Sequence, residues 1–186
     1  MTNTKTLEAM QAVLDFWFDE ITPAQWWKKD PLFDQVVRDR FESLLQAALA
    51  GECEHWRHSA QGCLALVILL DQFSRNIFRD QPAAFAADQQ ALDVAMNAVA
   101  QGWDRQLTNQ QRHFLYMPYM HSEDAAVHEL AVALFGALDG DDSDAFELRH
   151  KAIIDRFGRY PHRNAILGRE STPEELAFLQ QPGSSF

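Results

Sequence analysis

Residues 62–79, GCLALVILLDQFSRNIFR, constrain the fold most. Positions 64–70 are apolar without a break, so a helix here has no solvent face over its first half. Asp71, Arg75 and Arg79 follow at i, i+4 and i+8, with Gln72 and Asn76 one step round. At helical spacing these five share a face, opposite Leu66, Leu69, Leu70, Phe73 and Ile77. A central buried helix carrying a carboxylate and guanidiniums requires partners for them. Those partners are expected from segments distant in the chain.

The rest of the chain reads as amphipathic helices joined by short loops. An apolar stripe spans 6–18, and a proline-led capping box opens a short turn at Thr22-Pro23-Ala24-Gln25. A long helix follows Asp30-Pro31 and stops at Gly51. Further helices are expected from Pro82 to Gly102, over 112–117 until Pro118 interrupts it, and from a Ser122 cap to Gly140. The loop DGDDSD (139–144) lacks an EF-hand ligand pattern. A helix then runs to Gly158, a short one reaches Leu167, and the last opens at Thr172-Pro173 and ends near Gln180. No alternating strand pattern appears, so the expected fold is all-α: about eight or nine helices packed as antiparallel pairs. All 186 residues fit one domain, with 1–5 and 181–186 as loose tails.

Charge and cysteine usage exclude several functions. The net charge of −11 argues against a nucleic-acid surface. No run approaches the roughly 18 apolar residues of a membrane span, and the N-terminus lacks a secretory apolar region. Cys53 and Cys63 fit neither a disulfide framework nor a zinc pair, which points to free thiols in a cytoplasmic protein. No cofactor motif is present, and no oligomeric state is implied.

Four stretches carry a resemblance: Leu14-Asp15-Phe16-Trp17-Phe18, Asp71-Gln72-Phe73-Ser74-Arg75-Asn76, His121-Ser122-Glu123, and Phe157-Gly158-Arg159-Tyr160-Pro161-His162-Arg163-Asn164. Together and in this order they resemble the uncharacterised bacterial family called domain of unknown function 924, over residues 10–180. The resemblance implies a right-handed stack of helix pairs similar to tetratricopeptide folds. It implies no activity, and assigns nothing to His128 or the acidic loop.

The polar residues suggest a site. Asp71, Arg75, Asn76 and Arg79 come from the central helix, and His121, Glu123 and Asp124 from the next informative stretch. Arg156, Arg159, His162, Arg163 and Asn164 come from the C-terminal turn. The expectation is that these three segments converge on one hollow, since local partners cannot satisfy five donors per guanidinium. In such a hollow the arginines would hold a small anionic ligand. His121 or His162 would carry a proton, oriented by Glu123 or Asp71. Phe16, Trp17, Trp26 and Trp27 are candidates for its wall or for plain core. Two alternatives stand beside this: a helical-repeat module that grips a peptide with the polar network purely structural, and a hydrolase using a metal on His121, Glu123 and His162. No pair of the HExxH type supports the metal.

Overall fold

The computed structural model describes residues 3–138 and 143–185. The described residues are all-helical, without strands. Helix α1 (Asn3–Asp15) runs into a π turn (Phe16–Glu20) and is followed by α2 (Pro23–Trp27) and α3 (Pro31–Leu49). The rod α4 (Ala60–Val67), a second π turn (Ile68–Phe73) and α5 (Ser74–Ile77) form one continuous helix. Then come α6 (Asp88–Ala100), α7 (Asn109–His121), α8 (Ala125–Phe135), α9 (Ser143–Phe157) and α10 (Pro173–Phe178). With α4 and α5 counted as one rod, the described residues carry nine α-helices. The acidic loop at 139–142 lies outside the described residues. At the chain ends, α1 is already helical from Asn3, and Ser184 is buried with its hydroxyl donating to the Leu179 carbonyl.

The apolar run does what its composition demands. From Cys63 to Leu70 no residue exceeds 2% exposure. The rod packs against α1, α3, α6 and α7, so it is enclosed on all sides. The remaining helices pack in chain-order pairs, α6 on α7, α7 on α8 and α8 on α9. A small second core of Ile153, Ile154 and Tyr160, with Phe157 and Phe178 against it, holds the C-terminal turn onto α9.

Several boundaries differ from expectation. The first helix ends in a π turn, where Phe16 and Trp17 swing into the core beside Phe73. Pro118 does not cut α7. The stretch from Phe114 to His121 is buried throughout, and that packing offsets the roughly 3 kcal/mol a mid-helix proline costs. Ser122 follows the end of α7 instead of opening α8; Asp124 caps α8 by accepting from the Ala126 amide. Helix α8 ends at Phe135, well before Gly140, and α10 stops at Phe178. Residues 164–168 form turns, not a helix, and the helix expected at Pro82 begins as a 3₁₀ turn (Pro82–Phe85).

Entry to the central rod depends on one close approach. Ser59 caps α4 by accepting from the Gly62 amide. A Cβ on Gly62 would lie 2.0 Å from the Trp56 carbonyl oxygen, a backbone atom that cannot swing aside. By contrast, a Cβ on Gly102, at φ +69°, meets nothing within 4 Å. Gly62→Ala should therefore destabilise by about 2–3 kcal/mol or more through overpacking. Gly102→Ala should cost only about 1–2 kcal/mol, from its left-handed backbone. Urea unfolding midpoints of the two variants check the order.

Candidate functional site

The site starts from Asp71, inside the second π turn. Its side chain is fully buried, so each oxygen needs donors. Gln72 Nε2 donates to Oδ2 at 2.6 Å, and His121 Nδ1 meets Oδ1 at 2.7 Å. Arg75, one helical turn on, places Nη1 2.9 Å from Oδ1 and also donates to the Asp71 carbonyl. Burial alone would raise the Asp71 pKa. The charge of Arg75, then His121 and Gln72, outweighs it and holds the carboxyl well below the usual range.

Arg75 turns its fork toward Asp88, in the first turn of α6, with both contacts at 2.9–3.0 Å. Arg163, from the C-terminal turn, donates to the same carboxylate at 3.3 Å and to the His121 carbonyl at 3.0 Å. The guanidinium of Arg163 lies between the Phe85 and Tyr160 rings, 4.8 and 4.6 Å from their centroids. Asp71, Arg75, Asp88, Arg163 and His121 thus close a ring of contacts. Two carboxylates balance two guanidiniums, which leaves the histidine neutral. Burial pushes the His121 pKa down, and the charge of Arg75 adds to that, against the pull of Asp71. An ionised carboxylate only accepts, so Nδ1 carries the ring proton and Nε2 carries the lone pair.

A concavity of about 340 Å³ opens over this ring. Phe85, Asp88, Pro118, His121, Glu123 and Arg163 are among its lining residues. Four separate segments meet here: the turn before α6, the start of α6, the end of α7 and the C-terminal turn. Of the residues expected at such a hollow, His121, Glu123 and Arg163 line it, and Asp71 and Arg75 stand directly behind. Asp88 joins them without having been anticipated. Nothing in its local sequence marks it; only a count of guanidinium donors demands such a residue.

Other expected members lie elsewhere. The common helical face does not persist to Arg79, because α5 ends at Ile77 and Arg79 lies past it. Asn76 and Arg79 instead bond Asp34 on α3. Glu123 does not orient His121: both its oxygens are held by Arg169, at 2.6 and 2.9 Å, and by the Tyr160 amide. Asp124 is a helix cap. Arg156 pairs with Glu174 and Arg159 with Glu175, while Asn164 joins Ser171, Glu175 and Arg169. These contacts brace the C-terminal turn against α10. His162 packs against Tyr160, with ring centroids 5.6 Å apart, and is not among the lining residues. Phe16, Trp17, Trp26 and Trp27 form an aromatic cluster with Phe73 and Phe114 and do not line the hollow; Phe16 and Trp17 are core, Trp26 is half-buried and Trp27 is exposed. Among the described residues no group of three or more His, Cys, Asp or Glu side chains is placed to hold a metal ion.

Two predictions come from this geometry. Asp88→Ala leaves Arg75 and Arg163 without their shared carboxylate. The expected loss is about 2–4 kcal/mol, less than for a wholly enclosed pair because Asp88 is one-fifth exposed. Asp88→Asn, which keeps an acceptor, should lose less; urea denaturation compares them. The second concerns acid. Burial pushes His162 down to about 4 and His150 down to about 3. Each folded-state pKa is below the unfolded one, so the unfolded chain takes up the proton first. Stability is full above about pH 6.5 and falls as pH drops toward 4, by up to ~1.4 kcal/mol per pH unit per histidine. Unfolding midpoints at pH 7, 6 and 5 should decline in that order.

Comparisons with known proteins agree with the architecture. The family model for bacterial proteins of unknown function, DUF924, matches residues 13–183. A solved structure of a protein of unknown function from Agrobacterium tumefaciens is 39% identical, with a TM-score of 0.90. The match covers 94% of this chain and 98% of that one. No curated protein matches the chain. On the extent of these matches, the chain belongs to the DUF924 family.

Proposed function

We propose that the hollow is the active site of an enzyme acting on a small anionic ligand, with His121 as the group that moves a proton. The observation that carries this is the 2.7 Å contact between a buried, ionised Asp71 and His121 Nδ1 beneath a concavity. Such a contact fixes the tautomer, directs the basic Nε2 away from the carboxylate, and stabilises the imidazolium formed when a proton is taken up. The depressed pKa keeps the imidazole neutral, and so able to accept, at pH 7. Arg163 is the guanidinium in the lining toward which an acidic or carbonyl oxygen of the ligand would turn. Phe85, Pro118 and Leu92 offer apolar contact to the rest of it.

The hollow, about 340 Å³ and lined by four segments, has the size of a small-molecule site, which favours a small molecule over an extended peptide. The helix pairs would then serve as a rigid tetratricopeptide-like frame for the site. Two buried free thiols suit a cytoplasmic setting. Residues available for metal binding do not gather here, which favours proton transfer by His121 over metal-assisted hydrolysis.

A thermal-shift panel of carboxylated and phosphorylated metabolites tests the proposal. A ligand at 100 times its Kd stabilises by about 2.7 kcal/mol. At least one acid should raise Tm for the wild type, and the same acid should raise it less for Arg163→Gln. Any turnover found with that acid should vanish in His121→Gln. If no acid in the panel moves Tm, or if His121→Gln turns over normally, the proposal is wrong.

A further inference from the structure

Helix α7 ends at His121, and its last carbonyls have no intrahelical partners. Four consecutive carbonyls are nevertheless satisfied. The Tyr119 oxygen accepts from the Ser122 amide. The Met120 oxygen accepts from the Tyr160 hydroxyl at 2.5 Å, and the His121 oxygen from Arg163. The Ser122 oxygen lies 2.9 Å from His128 Nε2. Three side chains, two from the distant C-terminal turn and one from the neighbouring α8, therefore grip the backbone around His121.

His128 is the least expected of the three. It is fully buried, and its Nδ1 lies 2.6 Å from Oε1 of Glu147, which is equally buried. A carbonyl oxygen can only accept, so Nε2 must bear a hydrogen. The Nδ1–Oε1 contact then holds one further proton. If it sits on nitrogen the pair is ionic; if it sits on Glu147 the pair is neutral. In both states Nε2–H still faces the Ser122 carbonyl. Burial pushes the Glu147 pKa up, which favours the neutral form, and its Oε2 has no hydrogen-bond partner.

We propose that His128, held by Glu147, is a positioning residue for His121: it anchors the Ser122 carbonyl and so keeps the His121 ring seated on Asp71. This role rests on the active-site reading of His121. It assigns to α8 and α9 a part in the site although neither contributes a lining residue. The pair delivers a donor whose direction is the same wherever the shared proton resides.

The test exploits the shapes of the two amide side chains. Glutamine places its NH₂ near the position of histidine Nε2, whereas asparagine mimics Nδ1. His128→Gln keeps a donor for Ser122, and His128→Asn removes it. Glu147→Gln supplies an N–H to Nδ1 and so holds His128 neutral with its Nε2 hydrogen in place. The probe is the His121 ring in the full chain, followed by ¹³C and ¹⁵N NMR through a pH titration, with circular dichroism confirming the fold. In His128→Asn the His121 ring should leave Asp71 and lose its fixed Nδ1–H tautomer, and its pKa should move further down, because Asp71 is what holds it up against burial and the charge of Arg75. His128→Gln and Glu147→Gln should retain the wild-type titration and tautomer. If His128→Asn does not fold, Tyr160→Phe, which removes the Met120 donor, should show the same loss of the fixed tautomer and the same downward movement on its own. An unchanged His121 titration in His128→Asn, or in Tyr160→Phe where that variant is used, overturns the proposal, as does equal behaviour of the Asn and Gln variants. If the His121 signals respond as expected but no acid binds in the thermal-shift panel, the anchor stands and the active-site reading alone fails.

Discussion

A carboxylate without any contact with water lies at the centre of this protein, and much of the polar architecture follows from having to satisfy it. Asp71 occupies the middle of the most apolar rod in the chain, where an unpaired charge would be untenable. Its needs draw in Gln72, Arg75 and His121. Arg75 is itself too rich in donors for one partner, so Asp88 enters, and Asp88 in turn engages Arg163. Arg163 returns to the carbonyl of His121. The ring ties the central rod to α6, α7 and the C-terminal turn, elements up to 92 positions apart when Asp71 is set against Arg163. Removing one member leaves its neighbours charged and unmatched, which is why such a network resists piecemeal change.

Arginine suits this arrangement in a way lysine would not. The planar fork of Arg75 meets both oxygens of Asp88 while still reaching Asp71. The flat guanidinium of Arg163 slots between two aromatic faces, as no ammonium could. The chain has few lysines, and the two central arginines are among its most enclosed cations. The result is a rigid, charge-balanced floor with a neutral imidazole at its edge, a suitable base for chemistry that must not rearrange its surroundings.

The all-helical fold was legible from the spacing of apolar residues, and the central rod from its unbroken run at 64–70. The meeting of residues near 71, 121 and 163 was also legible, because buried cations have to find anions. Physical competition explains what was not. Arg79 went to Asp34 because the helix stops at Ile77, and a face counted by ideal periodicity has no meaning past that end; Asn76, still inside the helix but one step round from Arg75, meets the same carboxylate on α3. Glu123 looked like a first-turn acid, but α8 starts at Ala125 with Asp124 as its cap, which freed Glu123 for Arg169. Asp88 and the His128–Glu147 pair carry no local mark at all. Each is recognisable only once distant helices are side by side, since long-range pairing is decided by packing and not by neighbours in sequence. The aromatics at 16–27 could have been wall or core by composition; burial makes Phe16 and Trp17 core, while Trp26 and Trp27 pack on Phe114 nearer the surface.

The π turn at Ile68–Phe73 gives the central rod an unusual vulnerability. A π turn accommodates one more residue than the α-helix it interrupts. Dropping one residue there would let the rod relax to regular geometry. The flanking helices would keep their register, since a regular helix turns through the same angle with one residue fewer, but the residues inside the turn, Asp71 among them, would be re-aimed. Asp71 would lose its aim at His121 although both side chains were still present. For this stretch, tolerance to substitution and tolerance to change in length are separate properties. An apolar exchange at 68–70 disturbs packing but leaves the aim of Asp71 in place, whereas a single codon lost from the same segment would move the carboxylate on which the floor of the hollow depends.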